Sequence, residues 1–485
     1  MKPWPLEPEP ALFRQRVELV LDRLVPWLAG LEKQPMHHTA GGRKLARAIR
    51  EDLPEQGTSF RRLMGQLFER LIPASLNTAS PGYLAYIPGG GLTEAAIADL
   101  IADVTNRYTG LWMPAPGLVQ LEINVLRWLC AMVGFGEGSG GILTTGGSMA
   151  NLGALVSARQ DRLGEDFFRG VIYTSPQAHH SMRKAAIVAG FPRSAFREVA
   201  VDGAFRLRPD RLREAIAEDR AAGRRPLMVA TQAGSTAVGA VDPLEELADL
   251  CAEEGLWLHV DAAYGGFFCL TTRGREQLRG IERADSVTLD PHKGLFLPYG
   301  TGALVVRDLK KLRAAHAVTA SYLPAPQEDP DAWDFADLGP ELSRDFRGLR
   351  VWLPLKLHGA KVFREALDEK LDLTRQLVEE VRSLPTVRIV SEPVLSLFSF
   401  RFEPADRPEE SWDAFNRKVM SGVNQRQRVL LTGVTVEDPA TQRPIFVIRA
   451  CVLSFRTHAD RIQMAAEDLR AALAEVQQTG GGEAR

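Results

Sequence analysis

The segments LHVDAAYGG (residues 258–266) and SVTLDPHKGLFLPYGTG (residues 286–302) decide the fold, because each reads as a short strand followed by a turn. In the first, His259 and Asp261 alternate with Val260, so both side chains are predicted on one face of a strand. In the second, Lys293 follows the strand within an apolar turn. Open α/β sheets bind ligands at the carboxyl ends of their strands. The two segments therefore predict a functional site at one edge of such a sheet.

The rest of the chain alternates helical stretches with short apolar runs such as GVIYTS (170–175), PLMVAT (226–231) and GALVV (302–306). This alternation is typical of an α/β fold with a mainly parallel sheet covered by helices on both faces. We expect a helical dimerisation segment over 1–80, a large domain over 81–348 and a small α+β domain over 349–485. Residues 320–345 are acidic, rich in proline and without a clear period, which predicts a flexible loop of the active-site kind.

Composition excludes several classes of partner. The 485 residues carry 59 basic and 61 acidic side chains, which disfavours a nucleic acid or an anionic membrane held by bulk charge. No apolar run approaches the length of a membrane span, and no secretory signal is visible. The four cysteines are far apart and form no CxxC pair, which favours reduced thiols in a cytoplasmic protein over disulfides or a zinc site.

Lys293 invites a chemical explanation because lysine is scarce around it. Between Lys44 and Lys310, the chain holds just Lys184 and Lys293. A desolvated lysine has a lowered pKa and becomes a nucleophilic amine suited to a Schiff base. Asp261 is flanked by apolar residues, and burying its carboxylate would be costly without a cationic partner. Taken alone, each residue fits a plain surface turn equally well.

A third motif, GGILTTGGSMANLGAL (140–155), reads as a strand that runs into a helix beginning near Ser148. Backbone amides at such a helix start, freed from side chains by Gly146 and Gly147, form an anion site. The motif lacks the GK[ST] of a nucleotide P-loop and does not match GxGxxG. An ordinary strand-to-helix turn remains the alternative.

The stretch YTSPQAHHSMRKAA (173–186) places His179 and His180 between a strand and a helix. Without HExxH or a cysteine partner, metal ligation is disfavoured, and no metal site is predicted. A histidine in the same crevice can instead stack on a planar cofactor ring.

Taken together, these motifs resemble those of the group II pyridoxal-phosphate-dependent amino-acid decarboxylases, which include the aromatic-amino-acid, tyrosine, histidine and glutamate enzymes. The resemblance runs from SPGYLAYIPGGG (80–91) through TGGSMAN, QAHHS, HVDAAYGG and DPHKG to RDFRGLRVW (344–352). It implies the fold type I of pyridoxal-phosphate-dependent transferases, with a seven-stranded sheet. It also implies pyridoxal 5'-phosphate as cofactor and a homodimer with shared active sites.

The resemblance also implies residue roles. Lys293 would form the Schiff base, Asp261 would pair with the pyridine nitrogen, and His179 would stack on the pyridine ring. Further cofactor contacts and an active-site histidine would come from Gly147, Ser148, Thr236, Ala263, Asp290 and His292. Relatives usually have Asn at the position of Asp290. The substrate loop would include Tyr86, Ile87, Pro88 and Gly89, and Arg107 and Tyr108 would lie where the partner subunit reaches in.

One departure concerns the loop. Counted back without gaps from DFRGLRVW, Phe335 occupies the position where typical members carry a catalytic Tyr, whose hydroxyl protonates the substrate carbon after carbon dioxide leaves. Members with Phe there tend to release an aldehyde, ammonia and peroxide. Alternatively, the loop aligns with a gap, and Tyr322 or His179 is the donor.

We therefore expect decarboxylation of an L-amino acid to an amine and carbon dioxide. Tyr86 and Pro88 favour an aromatic or other bulky side chain. The alternatives are oxidative deamination to an aldehyde and, if Arg107 points inward, decarboxylation of an acidic amino acid. A non-catalytic, cofactor-binding relative is disfavoured by the intact trio of Lys293, Asp261 and His179.

Overall fold

The chain forms a seven-stranded α/β sheet with a second, smaller sheet after it. The computed structural model describes residues 6–318, 329 and 331–480. The large sheet has the order β1-β7-β6-β5-β4-β2-β3. Its strands are β1 (Gly140–Thr144), β2 (Gly170–Thr174), β3 (Phe196–Glu198), β4 (Arg225–Gln232), β5 (Trp257–Asp261), β6 (Ser286–Leu289) and β7 (Gly302–Val306). Strands β3, β2, β4, β5 and β6 are parallel, whereas β7 is antiparallel to both β1 and β6. The predicted mainly parallel, seven-stranded sheet is confirmed.

Helices separate the strands because apolar side chains recur on one helical face in each connecting segment. Strands β1, β2, β5, β6 and β7 are buried along their whole length, as expected for a sheet covered on both faces. The helices up to β7 are α1 (Pro10–Ala29), α2 (Gly42–Ala48), α3 (Phe60–Gln66), α4 (Thr93–Thr105), α5 (Pro116–Met132), α6 (Gly147–Arg162), α7 (His180–Val188), α8 (Pro209–Ala221), α9 (Leu244–Glu254), α10 (Thr272–Gln277) and α11 (Pro291–Gly294).

The carboxyl-terminal part has the expected α+β character. After α12 (Leu309–His316), it contains α13 (Arg347–Arg382), α14 (Trp412–Gln425) and α15 (Ala459–Gly480). Its antiparallel sheet has the order β10-β11-β9-β8, from β8 (Val387–Ser391), β9 (Leu397–Phe402), β10 (Thr432–Glu437) and β11 (Pro444–Cys451). Phe398, Phe400 and Phe402 of β9 are fully buried in its core. The domain boundaries at 80/81 and 348/349 stay predictions.

A buried ion pair braces the end of β1, from which the site begins. Arg344 Nη2 donates to Glu122 Oε1 at 2.6 Å, and both side chains are inaccessible to solvent. Arg344 and Arg347 each donate to the Leu143 carbonyl at 3.2 Å. A buried charge is tolerated when it is paired and hydrogen-bonded, so these contacts fix the backbone two residues before the Thr145–Gly146 turn. None of the helices in the described part of the chain combines the length and apolar character that a bilayer crossing requires.

Candidate active site

A cavity of about 420 Å³ lies at the carboxyl edge of the large sheet, beside the amino end of α6. It brings together all nine residues that the sequence predicts as cofactor contacts: Gly147, Ser148, His179, Thr236, Asp261, Ala263, Asp290, His292 and Lys293. Gly146, which the sequence predicts as part of the anion site, also lines it, and six further lining residues were not predicted: Thr145, Asn151, Ser181, Gln232, Gly234 and Tyr264. The convergence of segments from 145 to 293 follows from the parallel strands, whose carboxyl ends meet at one edge.

The amino end of α6 offers backbone amides to the cavity. Gly146 is the N-cap and has φ of +153° with ψ of 173°, a conformation that glycine alone adopts readily. No side chain caps this helix end, so its first-turn amides are available to an anion. A Cβ added at Gly147 would lie 3.1 Å from Asp290 Oδ2 and 3.3 Å from the Ala263 Cβ, inside the cavity. The absence of side chains at both positions keeps this cradle open.

Asp261 presents a buried carboxylate at the end of β5. Its side chain is 6% exposed. Oδ2 accepts a hydrogen bond from Asn151 Nδ2 at 2.9 Å, and Oδ1 accepts one from the Ala263 amide at 3.2 Å. Both neighbours donate to the carboxylate, so the two hydrogen bonds fix the orientation of Asp261 at the cavity.

His179 stands at the start of α7 and caps that helix. Its Nδ1 accepts the Ser181 amide at 3.3 Å and lies 2.7 Å from the Ser181 hydroxyl. Burial lowers the pKa of His179, and the charges of Lys293 and His180 act in the same direction, against Asp261 and Asp290. The ring is therefore favoured in its neutral form near pH 7.

The contacts of Lys293 contradict the predicted direction of its pKa shift. Its Nζ lies 2.8 Å from Asp290 Oδ2, one helical turn earlier. Burial alone would lower the pKa of Lys293, but the charge of Asp290, its hydrogen bond and the charge of Asp261 together raise that pKa above its ordinary value. The expected lowered pKa is wrong for the protein without cofactor, because an acidic partner outweighs desolvation. Asp290 Oδ1 is buried and has no hydrogen-bond partner among the described residues.

The predicted substrate loop lies next to the cavity at His292. A Cβ added at Gly89 would lie 2.9 Å from the His292 carbonyl, so these backbones are in close contact. Tyr86 is half exposed and has φ of +50°, which a tyrosine rarely adopts. This backbone is held from both sides, by Thr432 Oγ1 on its amide at 3.2 Å and by Arg449 Nη2 on its carbonyl at 2.8 Å.

Besides Tyr86, Pro88 and Gly89 of the substrate loop, three further predicted residues do not line the cavity. Phe335 is fully buried in the core, with the Arg344 guanidinium 4.9 Å from its ring centroid. Arg107 is exposed just after α4, and the Tyr108 hydroxyl donates to the Leu342 carbonyl at 2.9 Å. Tyr322, the alternative proton donor, and most of the predicted loop over 320–345 before residue 331 lie outside the described residues.

Asn151 was assigned no role from the sequence, although this residue ends the TGGSMAN motif (145–151). Asn151 is fully buried and contacts Asp261 directly. A buried Asn in an otherwise apolar helix face was the available signal, since such a side chain must find partners. Ser181, which ends the QAHHS motif (177–181), and Gln232, which ends β4, were likewise assigned no role.

These residues can together serve one class of ligand. The cavity combines an amine, an ionised carboxylate, a neutral imidazole and a helix start that attracts anions. That set complements a planar ring bearing a basic nitrogen, an electrophilic carbon and a phosphate.

Comparisons with known proteins agree with this geometry. Residues 43–403 match the family model described as "Pyridoxal-dependent decarboxylase conserved domain". The chain is 32% identical to an aromatic-L-amino-acid decarboxylase of Bacillus atrophaeus, covering 95% of each chain. It is 28% identical to a phenylacetaldehyde synthase of Petunia hybrida, covering 94% of this chain and 93% of that one. A crystal structure of an Oryza sativa TDC with PLP and tryptamine superposes with a TM-score of 0.91 at 27% identity, over 98% of this chain and 99% of the other.

Proposed function

The chain belongs to the family of pyridoxal-dependent decarboxylases, and we propose that it removes the α-carboxyl group of an aromatic L-amino acid, with pyridoxal phosphate as cofactor. The observation that carries this proposal is the meeting of Lys293, Asp261 and His179 in one cavity. Nothing in a purely structural role requires an amine, a carboxylate and an imidazole at one sheet edge.

The described residues fit the cofactor. The uncapped start of α6 would hold the phosphate, because its first-turn amides have no side-chain cap and glycines keep the approach open. The Lys293 amine would take the aldehyde, and Asp261 would face the ring nitrogen. Asp290 is the one discordant residue, since a carboxylate beside a phosphate is unfavourable. In the protein without cofactor, its Oδ2 pairs with Lys293, whereas its Oδ1 has no partner among the described residues.

When bound, pyridoxal phosphate supplies an electron sink for the electron pair left by the departing carboxyl group. The Asp261 carboxylate would keep a proton on the ring nitrogen of the cofactor. Asn151 and the Ala263 amide hold that carboxylate in place. His179 covers the cavity with a neutral ring.

An aromatic substrate is supported by the relatives and by the loop. The Bacillus atrophaeus relative is named for aromatic L-amino acids. The predicted substrate loop, which contains Tyr86 and Pro88, contacts the cavity residue His292 through Gly89, where an added Cβ would lie 2.9 Å from the His292 carbonyl. The exposed position of Arg107 gives no support to an acidic substrate. The burial of Phe335 beneath Arg344 gives no support to aldehyde formation through that residue.

We propose that a second copy of the chain completes the assembly. Four apolar side chains on α4 are about half exposed and form a stripe that leads toward Arg107 and Tyr108: Ile97, Leu100, Ile101 and Val104. Exposed apolar stripes of this kind mark interfaces. A cytoplasmic location is supported by the four free, buried cysteines, as expected in a reducing compartment.

The function is tested on the purified protein with pyridoxal phosphate. Each of the twenty amino acids is supplied in turn, and carbon dioxide, amine, aldehyde and peroxide are measured together. We expect carbon dioxide and amine in equal amounts from aromatic amino acids, and a particle of about twice 53.4 kDa. Carbon dioxide from no amino acid, despite bound cofactor, would refute the proposal.

Peroxide and aldehyde in place of amine would favour the oxidative alternative. The donor is then located with Tyr322→Phe and Phe335→Leu. We expect Tyr322→Phe to increase the aldehyde fraction, and Phe335→Leu to leave the product ratio unchanged because Phe335 is buried away from the cavity. The reverse pattern would reinstate Phe335.

Asp290→Asn is expected to shift the pH dependence of cofactor uptake. Only the neutral Lys293 amine attacks an aldehyde, and Asp290 raises the pKa of that amine. Below this pKa, the neutral fraction falls about tenfold per pH unit. Removing the negative charge lowers the pKa, so the rate of uptake by the protein without cofactor should rise earlier as pH increases. Stopped-flow absorbance measures this rate.

The control is Asp249→Asn, which changes an exposed carboxyl paired with Arg283 on the surface. It should follow the profile of the unmodified protein. An Asp290→Asn profile identical to the control would show that Asp290 does not govern the amine.

A further inference from the structure

A buried chain of hydrogen bonds runs behind the cavity to Asn151, through Trp257, Ser286 and His259, which the proposed function leaves without a role. Trp257 Nε1 donates to Ser286 Oγ at 2.8 Å, and Ser286 Oγ lies 2.8 Å from His259 Nδ1. His259 Nε2 then lies 3.0 Å from Asn151 Oδ1. Trp257, Ser286, His259 and Asn151 are all at most 1% exposed.

The chain has one consistent direction, which Asp261 sets. A carboxylate only accepts hydrogen bonds, so Asn151 must turn its Nδ2 toward Asp261. Asn151 Oδ1 therefore faces His259 Nε2 and Thr288 Oγ1, and both must donate to it. Burial lowers the pKa of His259 to about 4, against the charge of Asp261, so its ring is neutral at pH 7. Its proton is then on Nε2, and Nδ1 accepts from the Ser286 hydroxyl.

A second branch leads from Asn151 to His179. Asn151 Nδ2 also donates to Ser181 Oγ at 2.9 Å. The Ser181 hydroxyl is thereby directed to His179 Nδ1, which also accepts the Ser181 amide. Since His179 Nδ1 accepts twice, the proton of the neutral His179 ring is on Nε2.

We infer that Asn151 is a positioning residue whose single amide holds the Asp261 carboxylate and, through Ser181, selects the tautomer of His179. His259, Ser286 and Thr288 fix the orientation of that amide. The inference rests on the proposed function, because it is Asp261 and His179 that we assign to the cofactor. Every polar atom of the Asn151 side chain is used, as a fully satisfied buried network requires.

The first test is Asn151→Asp, which keeps the shape and replaces a donor with a carboxylate. Two carboxylates would then face each other at the position of a 2.9 Å contact, and one of them should bind a proton only at lowered pH. We expect the affinity for pyridoxal phosphate, measured by fluorescence quenching, to fall about 10- to 100-fold at pH 8. The loss should shrink toward pH 6, where the shared proton restores a donor to Asp261.

A merely structural role would weaken binding equally at every pH. A loss that is independent of pH, or no loss, would therefore overturn the inference for Asp261. The unmodified protein serves as reference, and failure of that protein to bind cofactor would refute the proposed function instead.

The second test examines only the branch from Asn151 to His179, and it does not need the cofactor. In Ser181→Ala, His179 Nδ1 loses the hydroxyl that stabilises its neutral form. The charged groups around the ring, namely Asp261, Lys293, His180 and Asp290, are unchanged. We expect the His179 titration, followed by ¹⁵N NMR, to move to higher pH.

Ser157→Ala is the matched control for this second test, because Ser157 is a buried serine on α6 that donates to the Gly153 carbonyl. It should leave the His179 titration unmoved. Equal titrations of His179 in Ser181→Ala and Ser157→Ala would overturn the inference for the second branch.

Discussion

Lys293→Ala is expected to lower kcat by at least about 10⁴-fold, as removal of a covalent catalytic group does. Lys293 is the single lysine among the cavity-lining residues that the structure describes, so no neighbouring amine replaces it. The variant should also lose the visible absorption band of the bound cofactor that borohydride bleaches. Lys293→Arg should behave alike, because a guanidinium stays charged and forms no Schiff base.

The matched control is Lys184→Ala, which removes an exposed lysine from α7, close to His179 in the chain. This variant should keep both the band and the activity. Decarboxylation by Lys293→Ala within tenfold of the unmodified rate would contradict the assignment of Lys293.

Asp261→Asn should lower kcat on the order of 10³-fold, comparable with the loss of a preorganised electrostatic contact. A neutral amide cannot keep a proton on the cofactor ring, so the electron sink weakens. The Asn side chain would also turn a donor toward Asn151 or the Ala263 amide, which both donate now. Steady-state rates and the cofactor spectrum, recorded on the same sample, measure these effects.

Asp242→Asn is the control for the loss of a buried carboxylate outside the cavity. Asp242 is likewise a buried carboxyl that accepts two backbone amides, from Leu207 and Gln232, and it does not line the cavity. Its replacement should lower stability yet preserve the cofactor spectrum. Equal spectra in Asp261→Asn and Asp242→Asn would count against a contact between Asp261 and the ring.

The large sheet was predictable where strands are short and continuously apolar. The runs at 170–175, 226–231, 286–290 and 302–306 all became strands within one or two residues of the expected bounds. Strand β3 was missed, because Phe196–Glu198 has three residues, two of them charged. The antiparallel insertion of β7 between β1 and β6 depends on tertiary pairing, which local pattern does not encode.

The site was predictable where residues follow strand ends, as Asp261, His179 and Lys293 do. The direction of the Lys293 pKa shift was missed, although Asp290 stands three residues earlier. On a helical turn that spacing brings side chains together, so the partner could have been found. The hydrogen-bonded network around Asn151 depends on contacts between residues far apart in sequence, such as Asn151 with His259 and Thr288.

The close approach of Gly302 to Gly146 limits where the cavity can be altered to change substrate preference. A Cβ at Gly302 would lie 2.5 Å from the Gly146 backbone, and Gly146 itself has a backbone conformation suited to glycine. Neither position accepts a larger side chain, and substituting both does not relieve the clash, because the obstacle is main chain. Efforts to alter substrate preference should therefore leave this end of the cavity untouched. They can begin at Tyr86, because its side chain is about half exposed to solvent.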